Sequence, residues 1–297
     1  MINLKKLLSR NTRGRLMYAL KFLPDELYIK LFYFSISGKW LNLKNPKGFN
    51  EKQNWLKLHD RHDEYSELVD KYTVRRHIDE ALGEGHIFTL LAKWESAQDI
   101  DISGLPNAFV LKCNHDSGST RIIRDKTKLT EKDITELKKY YRRRLKEDSF
   151  YAGREYPYKG IKKRYVLAEA LMVDDSHPDK SVEDYKFFCF DGIPKLMFIA
   201  TDRSSDCRFD FFDMDFNHLD IENLHPHADM PLVKPEMFDE MKAIAAKLSK
   251  GIKFVRIDLY QINGTIYFGE YTFYHGGAFA PFKPDEWENK LGDWISL

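Results

Sequence analysis

Hydrophobic and polar positions alternate most regularly near the end of the chain. Val255, Ile257 and Leu259 alternate with Arg256, Asp258 and Tyr260, the two-residue period of a strand with two different faces. Asn263-Gly264 then supplies two residues that tolerate positive φ, so a hairpin is expected, with a second strand from Thr265 to Thr272 carrying Glu270. Direct antiparallel register would bring Asp258 and Glu270 close together on one sheet face. The same residues also fit a surface hairpin with two solvated acids.

Elsewhere the pattern predicts helices over most of residues 1–60, over 60–81 with Gly83 as stop, over 130–147 with Thr130 as N-cap, and over 235–250 closed by Gly251. Strands are expected at His86–Trp94, Ala108–Lys112, Tyr165–Met172, Asp184–Phe190 and Pro194–Thr201, the last two joined by an Asp191-Gly192 turn. Residues 150–164 lack periodicity and read as a mobile loop of Gly, Tyr and cations, suited to serve as a lid. Residues 205–235 read as irregular.

Composition changes this picture little. The chain has 297 residues, enough for one or two domains, with 47 Lys+Arg against 46 Asp+Glu and a net charge of +1. Bulk attraction to nucleic acid or membrane does not follow from that balance. The three cysteines, Cys113, Cys189 and Cys207, are widely spaced and fit a reducing compartment. Apolar runs fall short of the roughly 20 residues that span a bilayer, and MINLKKLLSR does not read as a secretory signal. A cytoplasmic protein is expected. Lys5, Lys6, Arg10, Arg13 and Arg15 with Leu4, Leu7 and Leu8 also suit peripheral contact with the inner face of an anionic membrane, or packing on the main domain with a solvated basic face.

Candidate chemistry clusters at strand ends. Ala108–Lys112 runs into Cys113-Asn114-His115-Asp116-Ser117-Gly118-Ser119-Thr120, where loop N–H groups, hydroxyls and a lysine can hold phosphate. Asp258 and Glu270 repel unless a cation or proton sits between them, and Mg²⁺ takes such carboxylates. His225 and His227 form a His-x-His without a partnering acid at fixed spacing. Cys113 near His115 is the one thiol–imidazole pairing, and adjacent strand-end residues usually point apart.

The ordered segments DKYTVRRHI, PNAFVLKCNHDSGS, YVLAEALM, DYKFFCFDG, FVRIDLY and GEYTFYHGG cover roughly residues 65–282. As a set they resemble the ATP-grasp superfamily, and within it the TupA-like family of the teichuronopeptide type found in bacterial surface-polysaccharide gene clusters. The resemblance implies an α+β ATP-grasp fold of two α+β subdomains that sandwich ATP. Residues 1–60 would form a short basic helical region in place of the usual N-terminal substrate-binding α/β domain. Residues 61–297 would be the catalytic region, gripping nucleotide over about 106–190 and metal over 191–297.

The resemblance also implies roles. Lys71 and Lys112 would contact ATP phosphates, and His115, Asp116, Ser117, Gly118 and Ser119 would form a flexible phosphate cover. Glu169, Ala170, Leu171 and Met172 would form the hinge beside adenine, and Asp184, or Glu183, would hold the ribose. Lys186 and Arg203 would face the triphosphate or acyl-phosphate, and Arg256 would neutralise the transferring phosphoryl group. Asp258 and Glu270 would hold Mg²⁺. The usual acid-x-Asn motif reads Glu270-Tyr271-Thr272 here, which puts Thr272 at the third ligand position. The implied activity is ATP-dependent joining of a carboxylate to an amine through an acyl-phosphate. The substrates would be an amino acid and a uronic acid or peptide-like component of a surface polysaccharide, with no nucleic-acid partner. The alternative is a glycosyltransferase or sugar-phosphate transferase with metal at Asp213-Met214-Asp215. A non-catalytic scaffold docked through the basic N-terminus is a third reading.

Overall fold

The computed structural model describes residues 19–175, 182–201 and 206–297. The basic stretch read at the N-terminus falls largely outside them, as does Arg203. In chain order the helices are α1 (Asp25–Ser37), α2 (Phe49–His59), α3 (Tyr65–Val69), α4 (Val74–Leu82), α5 (Glu131–Lys146), α6 (Phe150–Gly153), α7 (Tyr156–Lys159), α8 (Phe238–Leu248) and α9 (Glu286–Asp293). The strands are β1 (Leu90–Trp94), β2 (Phe109–Cys113), β3 (Arg121–Ile123), β4 (Val166–Ala170), β5 (Asp184–Phe190), β6 (Ile193–Thr201), β7 (Arg208–Phe212), β8 (His218–Leu219), β9 (Phe254–Ile262) and β10 (Thr265–Thr272). Among the described residues no helix is long and apolar enough to cross a membrane.

The chain divides into two compact units. One comprises His62–Phe150 and Pro157–Val173. Its four-stranded antiparallel sheet has the order β1-β4-β2-β3. Phe109, Leu111 and Cys113 on β2 alternate inward and pack with Val166, Ala168 and the buried Tyr141 of α5. Helix α5 starts where the sequence predicts. The Thr130 hydroxyl accepts from the Asp133 N–H while the Asp133 carboxylate accepts from the Thr130 N–H, closing a capping box.

The other unit comprises the described residues up to Arg61, Tyr151–Tyr156 and Asp174–Leu297. Its six-stranded antiparallel sheet runs β10-β9-β5-β6-β7-β8. Both predicted turns are present, with Asp191 and Gly192 at φ 49° and 79° and Asn263 and Gly264 at 49° and 74°. Phe49 at the start of α2 meets Phe254 and Phe282 edge to face, tying that helix to the sheet.

Two expectations change. Residues 150–164 are not one aperiodic loop, since they contain α6 and α7. Between these, the buried Arg154 sits 4.3 Å from the Tyr28 ring centre and donates to the carbonyls of Leu20 and Lys21. That anchor is tertiary, so local periodicity cannot show it. Residues 205–235 contain β7 and the edge strand β8, five and two residues long, too short for alternation to show.

Helix α9 packs against the start of α2 so closely that a Cβ on Gly292 would lie 2.0 Å from the Lys47 carbonyl oxygen. The obstacle is backbone and cannot swing away. Gly292→Ala is expected to lower unfolding free energy by about 1–3 kcal/mol in urea denaturation. An unchanged midpoint would mean that α9 backs away freely.

Candidate active site: two clusters of carboxylates and cations

In the β1–β4 unit, the β2–β4 ladder pairs Val110 with Glu169 and Lys112 with Leu167, so Lys112 and Glu169 are diagonal neighbours on one face. Lys112 Nζ lies 2.5 Å from Glu169 Oε2, and Arg75 of α4 reaches Glu169 Oε1 at 3.2 Å. Arg75 also donates to the Phe88 carbonyl. Two cations thus meet one buried carboxylate, leaving a surplus positive charge. Lys71 lies in the same unit, and its Nζ donates to the Asp116 carbonyl at 2.6 Å.

The loop after β2 is built more tightly than a flexible cover. His115, Asp116 and Ser119 are buried, and Ser117 and Gly118 are exposed. Asp116 is held by Arg144 at 2.5 Å and accepts from Ser119 Oγ at 2.5 Å, while Ser119 Oγ accepts from the Cys113 N–H at 2.8 Å. His115 faces the Arg144 carbonyl at 3.2 Å, and burial lowers its pKa. Burial pushes the Cys113 thiol up to about 12, so it is no thiolate nucleophile at neutral pH. Of the expected hinge, Glu169 spends its side chain on the ion pairs and the Ala170 N–H bonds the Thr89 carbonyl. Leu171 and Met172 lie beyond the end of β4.

The six-stranded unit gathers Asp184, Lys186, Arg256, Asp258, Glu270 and Thr272. Pairing of β5 with β9 sets Lys186 opposite Asp258, and Lys186 Nζ contacts Asp258 and, at 2.8 Å, Asp184. Arg256 grips the Asp258 carboxylate with two bonds, Nε to Oδ1 at 2.6 Å and Nη2 to Oδ2 at 2.7 Å. Nη2 also donates to Thr272 Oγ1 at 3.0 Å and lies 3.6 Å from Glu270 Oε1. Burial alone would raise the Asp258 pKa, but Arg256 and then Lys186 outweigh it and hold the carboxyl at about 2. Three carboxylates face two cations, so this cluster carries a surplus negative charge. Glu270 is half-buried and holds Arg256 loosely, the one acid of the three that meets solvent.

Glu270 reaches this face by a route that direct register does not supply. From Thr265↔Ile262 to Phe268↔Leu259 the hairpin ladder is regular, and continued unbroken it would set Ile257 opposite Glu270. A bulge at Gly269 shifts the register by one, so Glu270 pairs with Asp258 and Thr272 with Arg256. A Cβ on Gly269 would come within 2.8 Å of the Tyr260 ring and 3.1 Å of the Asp258 carbonyl oxygen, which explains glycine there.

Sequence reasoning did not single out Arg75, His275, Asn223 or Lys57. His275 Nδ1 faces Arg256 Nη1 at 2.8 Å. Guanidinium only donates, so Nδ1 is the acceptor and the proton sits on Nε2, which donates to Asn223 Oδ1 at 2.8 Å. Burial, reinforced by Arg256, lowers the His275 pKa well below its ordinary value and keeps the ring neutral. Lys57 is fully buried and donates to the Gly277 carbonyl at 2.5 Å; burial lowers its pKa to about 7 against the pull of Glu155. None of the four has a spacing signal, because each partner is far away in sequence.

The Asp213-Met214-Asp215 motif has a local explanation. Asp213 accepts from the N–H groups of Asp215 and Asn217 and from the Asn217 amide at 2.8–3.0 Å, closing the turn between β7 and β8.

Residues 51–296 match the family model described as TupA-like ATPgrasp. The chain belongs to the TupA-like ATP-grasp family. The family's α+β ATP-grasp fold is the fold of this TupA-like protein, and the family is one of ATP-dependent ligases. No curated protein matches the chain. Among solved structures, it is similar to D-alanine–D-alanine ligase from Bacillus anthracis complexed with ATP, at 14% identity and TM-score 0.37, covering 69% of this chain and 53% of that one. It is also similar to the ATP-grasp ligase PsnB complexed with minimal precursor, Mg and ADP, at 13% identity and TM-score 0.37, covering 71% and 52%. A RimK domain protein from Sphaerobacter thermophilus is similar at 8% identity and TM-score 0.41, covering 78% and 69%. The TupA-like chain thus spans about half the length of the first two.

Proposed function

We propose that this TupA-like protein is an ATP- and Mg²⁺-dependent carboxylate–amine ligase. The observation that carries the reading is the pair of oppositely biased clusters, two cations against one acid around Glu169 and three acids against two cations around Asp258. A surplus of positive charge suits phosphate oxygens, and a surplus of negative charge suits a divalent cation. Lys112, Arg75 and Lys71 would bind phosphates. Asp258, Glu270 and Thr272 offer oxygen donors only, the set a hard ion accepts, and they would hold Mg²⁺. Bound there, Mg²⁺ supplies neutralisation of phosphate charge. Ala170, Leu171 and Met172 would face adenine, and Asp184 would serve the ribose.

In the reaction a substrate carboxylate oxygen attacks the γ-phosphorus and ADP leaves, giving an acyl-phosphate. An amine then attacks the acyl carbon and phosphate leaves. Arg256 and Lys186 would stabilise the charge on the transferring group. The substrates we infer are an amino acid and a uronic acid or peptide-like component of a surface polysaccharide, a reading that rests on the family's kind alone.

The test is a melt with Mg²⁺ plus ATP against Mg²⁺ plus UDP-sugars. ATP at about 100 times its dissociation constant adds roughly 2.7 kcal/mol to stability. The expected outcome is an ATP-specific rise that Lys112→Ala removes. A rise with UDP-sugar alone would replace this reading with the transferase.

A further inference from the structure

Away from these clusters, the edge of the six-stranded sheet carries an arrangement the ligase reading does not use. Asp210 on β7 and His218 on β8 lie on the same sheet face, because Phe212 pairs with His218 and Asp210 stands two residues from Phe212. The segment after β8 returns along β7, with the Phe209 N–H bonding the Pro226 carbonyl, and this brings in His227. His218 Nε2 lies 3.1 Å and His227 Nδ1 3.3 Å from the same oxygen, Asp210 Oδ1, and the three donor atoms all lie within 4.8 Å of one another.

We propose that Asp210, His218 and His227 form a binding site for a divalent transition-metal ion of the zinc class. Zinc takes imidazole nitrogen and carboxylate oxygen at about 2.0–2.2 Å, so neighbouring ligand atoms at tetrahedral corners stand about 3.3 Å apart. The two measured separations match that edge. Hydrogen bonding to Asp210 accounts for His218 but not for His227. Both ring nitrogens of His227 are shielded from solvent, and neither has a hydrogen-bond partner, although Nδ1 is so close to the carboxylate. The ring therefore does not aim its N–H at Asp210.

The outer groups fit a ligand set. The second oxygen of Asp210 accepts from the Ala228 N–H at 3.0 Å, which fixes the carboxylate and leaves Oδ1 for the ion. Asp220 Oδ1 lies 3.8 Å from His227 Nε2, on the far side of the ring, where a carboxylate orients a metal-bound imidazole. Arg208 donates to the His227 carbonyl at 3.2 Å and holds the returning segment. His225, the other member of the His-x-His, packs tilted against Phe209, ring centres 4.6 Å apart, and is not part of the set. Three protein ligands leave a fourth position for water or substrate. The ligand set selects a borderline metal, whereas the oxygen-only set at Asp258 selects a hard one.

The whole chain, stripped of metal with EDTA, would be titrated with Co²⁺ and with Zn²⁺ in saturating Mg²⁺. The expected result is one equivalent bound, with the visible d–d absorption of four-coordinate Co²⁺ displaced by Zn²⁺. His227→Gln and His218→Asn lose that spectrum, and His225→Gln keeps it. The proposal is overturned if the wild-type chain binds no stoichiometric ion, which would leave an ordinary imidazolium–carboxylate cluster. It is equally overturned if His225→Gln abolishes the spectrum while His227→Gln spares it. Should the ligand variants not fold, X-ray absorption of the wild-type zinc complex decides. Two imidazoles with oxygen donors support the site, and sulfur ligation or no imidazole sinks it.

Discussion

Asp258→Ala is expected to lower unfolding free energy by about 3–5 kcal/mol and to abolish ATP turnover. The structural loss comes from the cations left behind. Arg256 and Lys186 are both buried, and Asp258 takes two bonds from the first and one from the second. Removing the shared acceptor leaves two buried charges short of a partner, the costly way to break such a network. Urea denaturation reads the stability, and a loss below about 1 kcal/mol would mean that Asp184 and Glu270 take over. Acid should mimic the substitution. Because the folded carboxyl sits at about 2, below its ordinary range, its stabilisation is complete above about pH 4. That stabilisation is lost as pH falls through about 2.

Glu169→Ala should act the same way in the other unit, by about 2–4 kcal/mol, since Lys112 and Arg75 are then left facing each other without their acid. Here the cycle is informative. Replacing Lys112 with Met in the Glu169→Gln background should recover part of the loss, because the surplus charge goes with it. If the double variant is no more stable than Glu169→Gln alone, the Lys112 charge is not what destabilises the single variant. Lys112→Ala alone is expected to lose ATP binding with a smaller cost in stability.

Much of this was legible along the chain because it is written in local signals. Asn263-Gly264 and Asp191-Gly192 declare hairpins through their positive φ, and Thr130 with Asp133 declares a helix start. Alternation in Phe254–Ile262 and the short aromatic run of Asp184–Phe190 place Arg256, Asp258 and Lys186 on strands that the sheet then sets side by side. What stayed hidden depends on distant partners. Arg154 is anchored by carbonyls more than 130 residues away. His227 acquires its acid from Asp210, 17 positions earlier, with no fixed spacing to betray it. Arg75 reads as one of two surface arginines on α4 until Glu169 is seen beneath it.

The bulge at Gly269 works as a parity switch. The count of paired residues between the hairpin tip and the acid decides which side of the sheet the acid occupies, so the pairing carries information that residue identity does not. Pairing Gly269 into a regular ladder, without the bulge, would leave every functional side chain in the sequence and still turn Glu270 and Thr272 to the opposite face, whereas a β10 lacking that residue would keep Glu270 opposite Asp258.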